Sequence, residues 1–453
     1  MIHSTSAVLS RPTGWGDGGV SPNSFDKHAR NPVRDVLASL LLVHDPSAQA
    51  CAWDYWDADG HLHIVVDAKL RELSDASLLR LLEEFAAQAG DSASVRRLAD
   101  ALAVRLSAEP GRYDEVRALA SRAHGTARIV GHLGDGGPVA EAGPVVTAGD
   151  AWRMAGRCAE RPGAGAVGPA GVGSDVDVTV VIPFRGRGED LERVRNLAAC
   201  VGSLCRQSHP RDRYRIVVVE SDDEPRWRDE LEPLVDDYVF AFHPGKFNKS
   251  WTVNCGVRHT ARPGALVCIL DGDILADEGF IARNVARFED STMRGLWPFR
   301  DILFLDPASS DRAIGARCDE GLPDVDDAQM RGVVLRRPPG GCVWLRRDFF
   351  LQIGGMDERF EGWGGEDVDL VWRAEFRGGL ERFPDRLLHL HHRRPRHRRD
   401  DGEPFYTDLV WGTWPVDSVI GDLGRHRTAA RSGTSRTRRS SETAHTKADQ
   451  LPD

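Results

Sequence analysis

Residues 176–182 read VDVTVVI, a short run of β-branched residues typical of a strand buried on both faces of a sheet. An amphipathic helical pattern follows at 189–206, and a second strand pattern, YRIVVV, occupies 214–219. The alternation continues with a strand over 266–270 (LVCIL) and a helix over 278–288. Strands that alternate with helices build a largely parallel sheet covered by helices on both faces. The sequence therefore predicts an α/β fold that begins near residue 176.

The chain on either side of this pattern has a different composition. Residues 31–130 carry apolar side chains at helical spacing and are predicted to form a mainly helical N-terminal domain. Residues 1–30 and 131–175 are rich in Gly and other small or turn-forming residues, so we predict a flexible leader and a linker. Residues 421–453 are polar and are predicted to be a disordered tail, which leaves 176–420 as the α/β domain.

Three helices and one hairpin are predicted within the N-terminal region. Leucines recur at intervals of three and four over 70–85, and similar patterns cover 95–104 and 113–123. Residues 52–66 combine aromatic residues, an Asp-Gly pair and β-branched residues, which favours a hairpin packed on the helices. Its aromatic residues are predicted to lie in a core rather than to form a binding platform.

The composition excludes several classes of protein. The chain has 453 residues, 41% of them hydrophobic and 28% charged, which is ordinary for a soluble globular protein. A net charge of −10 argues against a field built to attract nucleic acid, and no apolar run reaches the ~18 residues of a transmembrane segment. The eight cysteines form no CxxC pair and are predicted to be reduced and buried. Because no signal-peptide pattern is present, a cytoplasmic location is expected.

Polar side chains follow the first two strands of the predicted sheet. The first strand continues into IPFRGRGED (182–190) and the second into ESDDE (220–224). Ligands of open α/β sheets bind at this carboxyl edge. Arg185 and Arg187 can bind phosphate there, Pro183 and Phe184 can form an apolar wall for a base, and the acids can bind a ribose hydroxyl. Solvated turn residues are the alternative interpretation.

The third strand ends in LDGDI, which places Asp271 and Asp273 two positions apart with a glycine between them. Two carboxylates at a strand end can converge on one hard cation, and oxygen ligands suit Mg²⁺ or Mn²⁺. Such an ion can neutralise the charge that develops on a departing nucleotide diphosphate. A tight acidic turn without a metal is the alternative.

Residues 360–370 read FEGWGGEDVDL, in which three glycines and one tryptophan precede Glu366, Asp367 and Asp369 at the start of a helical pattern. Acids at a helix N-terminus can simply stabilise the helix dipole. A glycine-framed loop beside an indole instead favours a site where a carboxylate acts as general base on a hydroxyl and the tryptophan stacks on a sugar ring.

Three histidines end an apolar stretch in residues 387–395, which read LLHLHHRRP. One imidazole from this segment can complete the ligand shell of the cation. The alternative is a basic surface segment with no ligand.

Four motifs, IPFRGR, FNKSWTVNCGV, LDGD and FEGWGGEDVDL, occur in this order over about 176–414, and together they resemble glycosyltransferases of the GT-A fold. The closest likeness is to glycosyltransferase family 2 and to the β-1,4-galactosyltransferase type. The resemblance implies a nucleotide-diphospho-sugar transferase fold, a mostly parallel sheet flanked by helices, with an additional helical region before it. It covers neither the N-terminal region nor the tail.

The same resemblance implies roles for individual residues. Asp367 is expected to be the general base that deprotonates the acceptor hydroxyl, and Glu366 is expected to orient the acceptor. The expected acceptor- or sugar-binding residues are Trp363, Gly364 and Gly365. The expected nucleotide- and donor-binding residues are Pro183, Phe184, Arg185, Arg187, Glu220, Asp222, Phe247, Asn248, Lys249, Asn254 and Asp271.

The resemblance also implies a metal site. Asp273 is expected to bind the ion directly, with Asp271 nearer the ribose and phosphates. His389 is the first choice for a further ligand and His391 the second. The spacing of the histidines differs from that of galactosyltransferases, so the third ligand stays open.

The implied reaction is metal-dependent, with Mn²⁺ or Mg²⁺, and moves a sugar from a nucleotide-sugar donor, expected to be a UDP-sugar, to an acceptor hydroxyl with inversion. The acceptor can be a carbohydrate, a lipid or another small molecule. A sugar-nucleotide nucleotidyltransferase is one alternative, but it would carry a Gly-rich basic loop that IPFRGRGED matches poorly. A non-catalytic carbohydrate-binding protein is the other, and it would be expected to have lost one of the acids.

Overall fold

The computed structural model describes residues 31–45, 48, 51, 61–88, 91–124, 127–130, 147–160, 175–187, 190–326, 330–362, 364–393, 406 and 408–427. The predicted leader at 1–30 lies outside these residues, as do 52–60 of the predicted hairpin. The same holds for 428–453, most of the predicted tail.

Five helices form the N-terminal part of the described chain. The side chains of Asn31, Asp75 and Asp91 accept hydrogen bonds from backbone N–H groups in the first turns of three of these helices, and so cap them. Buried leucines such as Leu40 and Leu82 contribute to their shared core. The helices are α1 (Pro32–His44), α2 (His61–Glu72), α3 (Ala76–Ala87), α4 (Ser92–Ala108) and α5 (Pro110–His124).

The hairpin predicted for 52–66 is wrong where the structure describes it, because 61–66 begin helix α2. Val66 and Leu70 lie one helical turn apart on this helix and both are fully buried. Helix α2 packs against α1 and α5. Helical spacing of the buried side chains therefore outweighs the strand propensity of the β-branched residues.

The rest of the described chain contains a ten-stranded mixed sheet together with eight α-helices. The strands are β1 (Ala127–Val130), β2 (Val178–Phe184), β3 (Tyr214–Glu220), β4 (Asp237–Phe240), β5 (Leu266–Leu270), β6 (Ile274–Leu275), β7 (Gly295–Leu305), β8 (Gly332–Arg336), β9 (Cys342–Arg346) and β10 (Glu381–His389). The helices in this part of the described chain are α6 (Ala148–Glu160), α7 (Leu191–Leu204), α8 (Arg228–Leu231), α9 (Lys249–His259), α10 (Phe280–Arg287), α11 (Pro307–Ile314), α12 (Arg347–Gln352) and α13 (Glu366–Arg377).

The strand order along the sheet is β1-β8-β7-β9-β5-β2-β3-β4, and β10 pairs with β6 and β7. Strands β5, β2, β3 and β4 are parallel neighbours, as predicted, whereas β9, β8 and β1 join in antiparallel pairs. Successive residues of β3 alternate between two apolar cores, with Val218 in one and Val217 in the other. The sheet is thus covered on both faces, and the predicted α/β class is confirmed.

The region predicted as a linker, 131–175, contains helix α6. This helix buries Ala155 and Cys158 against α7, where Gly202 leaves room: a Cβ atom on Gly202 would lie 3.3 Å from the sulfur of Cys158. Strand β1, from the predicted helical domain, pairs with β8. The N-terminal region therefore contributes an edge strand to the sheet.

The parallel strands end together at one edge of the sheet. Phe184, the last residue of β2, is paired in register with Glu220, the last residue of β3, and β5 ends beside them at Leu270. The segments that follow these strands carry the predicted donor and metal residues. Their proximity is a direct result of parallel pairing.

Part of the predicted tail is ordered against the α/β domain. The backbone N–H of Gly421 donates to a carboxylate oxygen of Glu358 at 2.6 Å, and the indole N–H of Trp251 donates to the carbonyl of Asp422 at 3.1 Å. The ring of His426 lies 3.9 Å from the ring of His243, centroid to centroid. The described segment that ends at residue 427 is thus part of the fold, which corrects the boundary predicted at 420.

This segment predicts a specific sensitivity to acid. Burial lowers the pKa of His243 and of His426 to about 4 each. The unfolded chain therefore binds more protons than the folded protein between pH ~6.5 and ~4, so these histidines stabilise the fold fully above ~6.5 and lose that contribution as the pH falls. We expect His426→Phe, which keeps a ring against Trp251, to lose less unfolding free energy between about pH 7 and about pH 4.5 than the wild type. Urea unfolding at both pH values measures this, and identical losses would contradict it.

Candidate active site

Lys249 joins three carboxylates at the carboxyl edge of the sheet. Its ammonium lies 2.8 Å from Asp271, 3.0 Å from each carboxylate oxygen of Asp367, and 4.0 Å from Glu366. Asn248 caps α9 and so fixes Lys249 as the first residue of that helix, while Glu366 and Asp367 begin α13. The structure thus brings together residues from three of the four motifs. We call Lys249, Asp271, Glu366 and Asp367 the acidic cluster.

The electrostatics of the acidic cluster reflect an excess of negative charge. Burial raises the pKa of Asp271 to about 6, although Lys249 opposes the shift, and burial together with Asp367 raises the pKa of Glu366 to about 7. Burial alone would lower the pKa of Lys249, but the contacts with Asp271 and Asp367 outweigh it and raise the pKa well above its usual value. One ammonium therefore faces three acids whose negative charges repel one another.

A second cluster lies on the other side of Gly272. Asp273 lies 3.3 Å from Nε2 of His389 and 2.9 Å from Nε2 of His392. The ligand atoms of these three residues all lie within 4.8 Å of one another, as they must in order to hold one metal ion. Antiparallel pairing of β6 with β10 sets His389 opposite Ile274 and so beside Asp273. We call Asp273, His389 and His392 the cation cluster.

Both imidazoles of the cation cluster present a lone pair to Asp273. Nδ1 of His389 lies 2.9 Å from the carbonyl oxygen of Leu390, and Nδ1 of His392 lies 3.0 Å from that of Arg393. A carbonyl only accepts hydrogen bonds, so each Nδ1 carries a proton, and a neutral ring then has a bare Nε2. Burial lowers the pKa of His389 to about 4, which keeps its ring neutral. This arrangement of ring and carbonyl is typical of metal-binding histidines.

The carboxylate of Asp273 is correspondingly poised to bind a cation. Its Oδ1 is buried and accepts no hydrogen bond from the described residues. A buried anionic oxygen that faces bare ring nitrogens is stabilised when a cation lies between them.

The second-choice histidine is placed elsewhere. His391 lies 3.6 Å from Glu192 through its ring, and its backbone carbonyl accepts a hydrogen bond from Asn196 at 3.0 Å. It is not a member of the cation cluster, which contains His392 instead. The structure therefore does not support His391 as a ligand. Strand β10 ends at His389, and the next ring that faces Asp273 is that of His392, three residues later.

The predicted base and ribose residues pack into the edge of the sheet. Arg185 donates to the carbonyls of His243 and Gly245, at 2.8 and 2.7 Å, and burial lowers its pKa to about 10. Arg187 pairs with Asp222 at 2.8 Å. Direct contact of these side chains with a nucleotide stays a prediction. Pro183 and Phe184 end β2 and are buried.

Glu220, Asn248 and Asn254 have local hydrogen-bonding partners. Glu220 is fully buried and accepts hydrogen bonds from the backbone of Arg226 and from the hydroxyl of Tyr238. The side-chain amide of Asn248 donates to the carbonyl of Glu358. The side-chain amide of Asn254 donates to the carbonyl of Met356 and accepts a hydrogen bond from the backbone N–H of Met356. Phe247 accepts a hydrogen bond from Gly362 on its carbonyl. The contacts of Phe247, Asn248 and Asn254 hold residues 356–362 against α9, and we call the segment that carries Gly362, Gly364 and Gly365 the glycine loop.

The glycine loop approaches its neighbours closely. Gly364 and Gly365 have φ values of 96° and 90°, a conformation that favours glycine, and a Cβ atom on Gly365 would lie 2.8 Å from the ring of Phe360. Gly340, from the turn after β8, approaches Asp367 so closely that its Cβ would lie 2.3 Å from a carboxylate oxygen. Gly340 is not among the predicted site residues, although PPGG at 338–341 marks a turn. Trp363 lies outside the described residues.

Comparison with known families gives two matches within the α/β part. The model described as "Glycosyl transferase family 2" matches residues 179–354, and the model described as "N-terminal domain of galactosyltransferase" matches 336–394. Together they run from β2 to just beyond the cation cluster. The resemblance predicted from the four motifs is confirmed by these matches.

The alignments with individual relatives cover only part of the length of each relative. Probable N-acetylgalactosaminyltransferase 9 of Caenorhabditis elegans is 24% identical over 217 residues, 41% of this chain and 35% of that protein. Pre-mycofactocin glycosyltransferase of Mycobacterium tuberculosis is 27% identical over 232 residues, 49% and 44% respectively. The chain thus spans less than half the length of these curated relatives. A solved mannosyltransferase from Pyrobaculum calidifontis, in complex with GDP-Man and Mn²⁺, is 18% identical, with coverage of 54% and 65% and a TM-score of 0.33.

The part of the chain that the structure describes contains no candidate transmembrane helix. None of the helices there combines the length and the apolar character that a bilayer span requires.

Proposed function

We propose that the protein transfers a sugar from a nucleotide-diphosphate sugar to an acceptor hydroxyl, because residues 179–354 and 336–394 match models of glycosyltransferase family 2 and of galactosyltransferases. The observation that carries this proposal is the Asp271-Gly272-Asp273 turn, which joins the acidic cluster to the cation cluster. One turn thereby links a group that can take a proton to a group that can bind a cation. These are the two tasks that sugar transfer from a nucleotide diphosphate requires.

Asp273, His389 and His392 would hold a divalent cation, Mn²⁺ or Mg²⁺. The bare Nε2 atoms and the unbonded Oδ1 of Asp273 fit such an ion, since nitrogen and oxygen donors suit Mn²⁺ in particular. A cation bound there would neutralise negative charge on the leaving nucleotide diphosphate. Asp271 bonds to Lys249, so its expected place is near the donor rather than in the ion's direct shell.

The charge balance of the acidic cluster supports metal dependence. Asp271, Glu366 and Asp367 together outnumber Lys249, and a diphosphate adds further negative charge. Repulsion between these anions is large in a partly buried site. A cation beside Asp271 offsets it, and Lys249 can offer its ammonium to the phosphates.

Asp367 is the proposed general base. Its carboxylate stands at the start of α13, directly after Gly364 and Gly365, and is held by Lys249. A base that activates the hydroxyl on the side opposite the leaving group produces inversion at the anomeric carbon. Glu366, kept partly protonated by its raised pKa of about 7, can hydrogen-bond to the acceptor.

The test is release of nucleotide diphosphate from a panel of UDP- and GDP-sugars, with Mn²⁺, with Mg²⁺ or with chelator. We expect metal-dependent release from one donor, a UDP-sugar in our proposal, and faster release once an acceptor is supplied. Equal release with chelator and with metal would contradict the metal site. No turnover and no binding of any donor would contradict the transferase activity itself.

A further inference from the structure

Exposed apolar side chains concentrate in the part of the described chain that begins with α13. Eight large hydrophobic residues in the described part of the chain are exposed, and five of them lie between 372 and 419. Trp372 is 40% exposed and Phe376, one turn further along α13, is 91% exposed. Aromatic residues on the surface in such a group point to a binding surface more than single exposed aliphatic residues do.

A row of aromatic rings links this surface to the glycine loop. The ring centroids of Tyr406 and Trp411 are 5.4 Å apart, and those of Trp411 and Trp372 are 5.6 Å apart. Tyr406 lies directly against the loop, since a Cβ atom on Gly364 would be 3.1 Å from its ring. We call Tyr406, Trp411 and Trp372 the aromatic row. Tyr406 contacts Gly364 and Gly365, which lie three and two residues before Asp367. From there the row runs through Trp411 to Trp372 on α13.

A buried ion pair holds the aromatic row in place. The carboxylate of Asp369 accepts hydrogen bonds from the backbone of Gly412 at 2.7 Å and from Arg373 at 2.8 Å. Arg373 also donates to the carbonyls of Ile353 and Gly355, both at 2.7 Å. Asp369 thus ties the turn after Trp411 to α13, the helix that carries Trp372. A surface fixed in this way loses little conformational entropy when it binds a ligand.

We infer that the aromatic row is an extended subsite for a saccharide acceptor of at least two sugar units. This inference rests on the proposed function, because it places the terminal hydroxyl of that saccharide at Asp367. Tyr and Trp present flat apolar faces to the C–H face of a sugar, and their polar edges remain hydrated. Two further rings beyond Tyr406 extend past the reach of a single sugar bound at the base.

The geometry favours a saccharide over an acyl chain. The rings of the row are inclined to one another by 59° and 61°, so they form separate steps instead of a continuous apolar groove. A polar pair follows Trp411 in the chain: Arg359, 35% exposed, lies 5.7 Å from the ring of Trp414 and donates to the hydroxyl of Thr413 at 3.0 Å. Sugars need apolar faces together with such polar edges, and an acyl chain does not.

Binding of cellotetraose, chitotetraose, maltotetraose and mannotetraose, each compared with its monosaccharide, tests the aromatic row by calorimetry. We expect at least one tetrasaccharide to bind the wild type, and its Kd to rise about tenfold in Trp372→Ala, the size expected from loss of one stacking contact. Trp372→Phe should restore most of the affinity. Val104→Ala, an exposed apolar residue on α4, is the matched control and should bind like the wild type.

Failure of this inference is distinguishable from failure of the proposed function. The calorimetric assay contains no donor, whereas nucleotide release from the donor panel needs no oligosaccharide. If no tetrasaccharide binds, or if Trp372→Ala binds as tightly as the wild type, the aromatic row is not a saccharide subsite even when donor turnover is normal. Absence of donor turnover alone overturns the transferase activity.

Discussion

Asp273→Asn is expected to reduce metal-dependent release of nucleotide diphosphate by at least about a hundredfold. The substitution removes one anionic oxygen from the cation cluster and leaves the bare Nε2 atoms of His389 and His392 beside a neutral amide. An amide oxygen is a weaker ligand than a carboxylate, and its N–H₂ group can donate a hydrogen bond to one ring. Affinity for Mn²⁺, measured directly by titration calorimetry, should fall in parallel with activity.

A matched pair of histidine variants tests the same site. His392→Gln should weaken Mn²⁺ binding, whereas His391→Gln should not, because the ring of His391 faces Glu192. The two positions are adjacent and chemically equal in the sequence, so their difference reports the three-dimensional cluster alone. Equal Mn²⁺ affinity in Asp273→Asn and wild type, or equal effects of the two histidine variants, would contradict the assignment.

Residue types and spacing predict Asp273 as part of the site, but they do not predict which histidines lie beside it. The LDGD motif placed Asp273 at a strand end, because an apolar strand followed by acids marks the carboxyl edge of a sheet. The choice among three neighbouring histidines depends on pairing of β6 with β10, which sets only His389 opposite Ile274. It also depends on the irregular backbone after β10, which turns His392 inward. Neither feature follows from residue types or spacing.

The sequence predicts the members of the acidic cluster but not how they are arranged. The motifs identified Lys249, Asp271, Glu366 and Asp367, but they assigned Lys249 to the donor and Asp367 to the acceptor. The structure places these two side chains 3.0 Å apart. A contact between two helix N-termini depends on the packing of α9 against the loop before α13, where Gly362 bonds to the carbonyl of Phe247. Such packing is a tertiary property that no local pattern encodes.

The structure differs most from the sequence-based predictions in the regions outside the four motifs. Helix α6 falls in a region whose Gly and Ala content resembled a linker, yet its small residues are what allow close contact with α7. Composition alone cannot separate a flexible segment from a closely packed one. Strand β1 likewise has too few residues to be recognised before its partner β8 is known.

Asp367→Asn is expected to lower kcat for sugar transfer by about a hundredfold to ten-thousandfold, the usual contribution of a general base. The amide cannot take a proton from the acceptor hydroxyl. It nevertheless keeps the size of the side chain and one oxygen that accepts from Lys249, so the fold and the donor site should persist. The dissociation constants of the donor and of Mn²⁺ should therefore stay within about threefold of the wild type.

The split between kcat and binding separates catalysis from a structural role. If Asp367 served only to position Lys249, its loss would weaken donor binding and kcat together, and the unfolding free energy would fall as well. Glu361→Gln is the matched control, since Glu361 lies on the same loop, is half exposed and is outside the acidic cluster. Near-normal kcat in Glu361→Gln with a large loss in Asp367→Asn identifies the base. Activity of Asp367→Asn close to that of the control would instead assign proton transfer to Glu366, whose raised pKa of about 7 makes it the next carboxylate able to accept a proton.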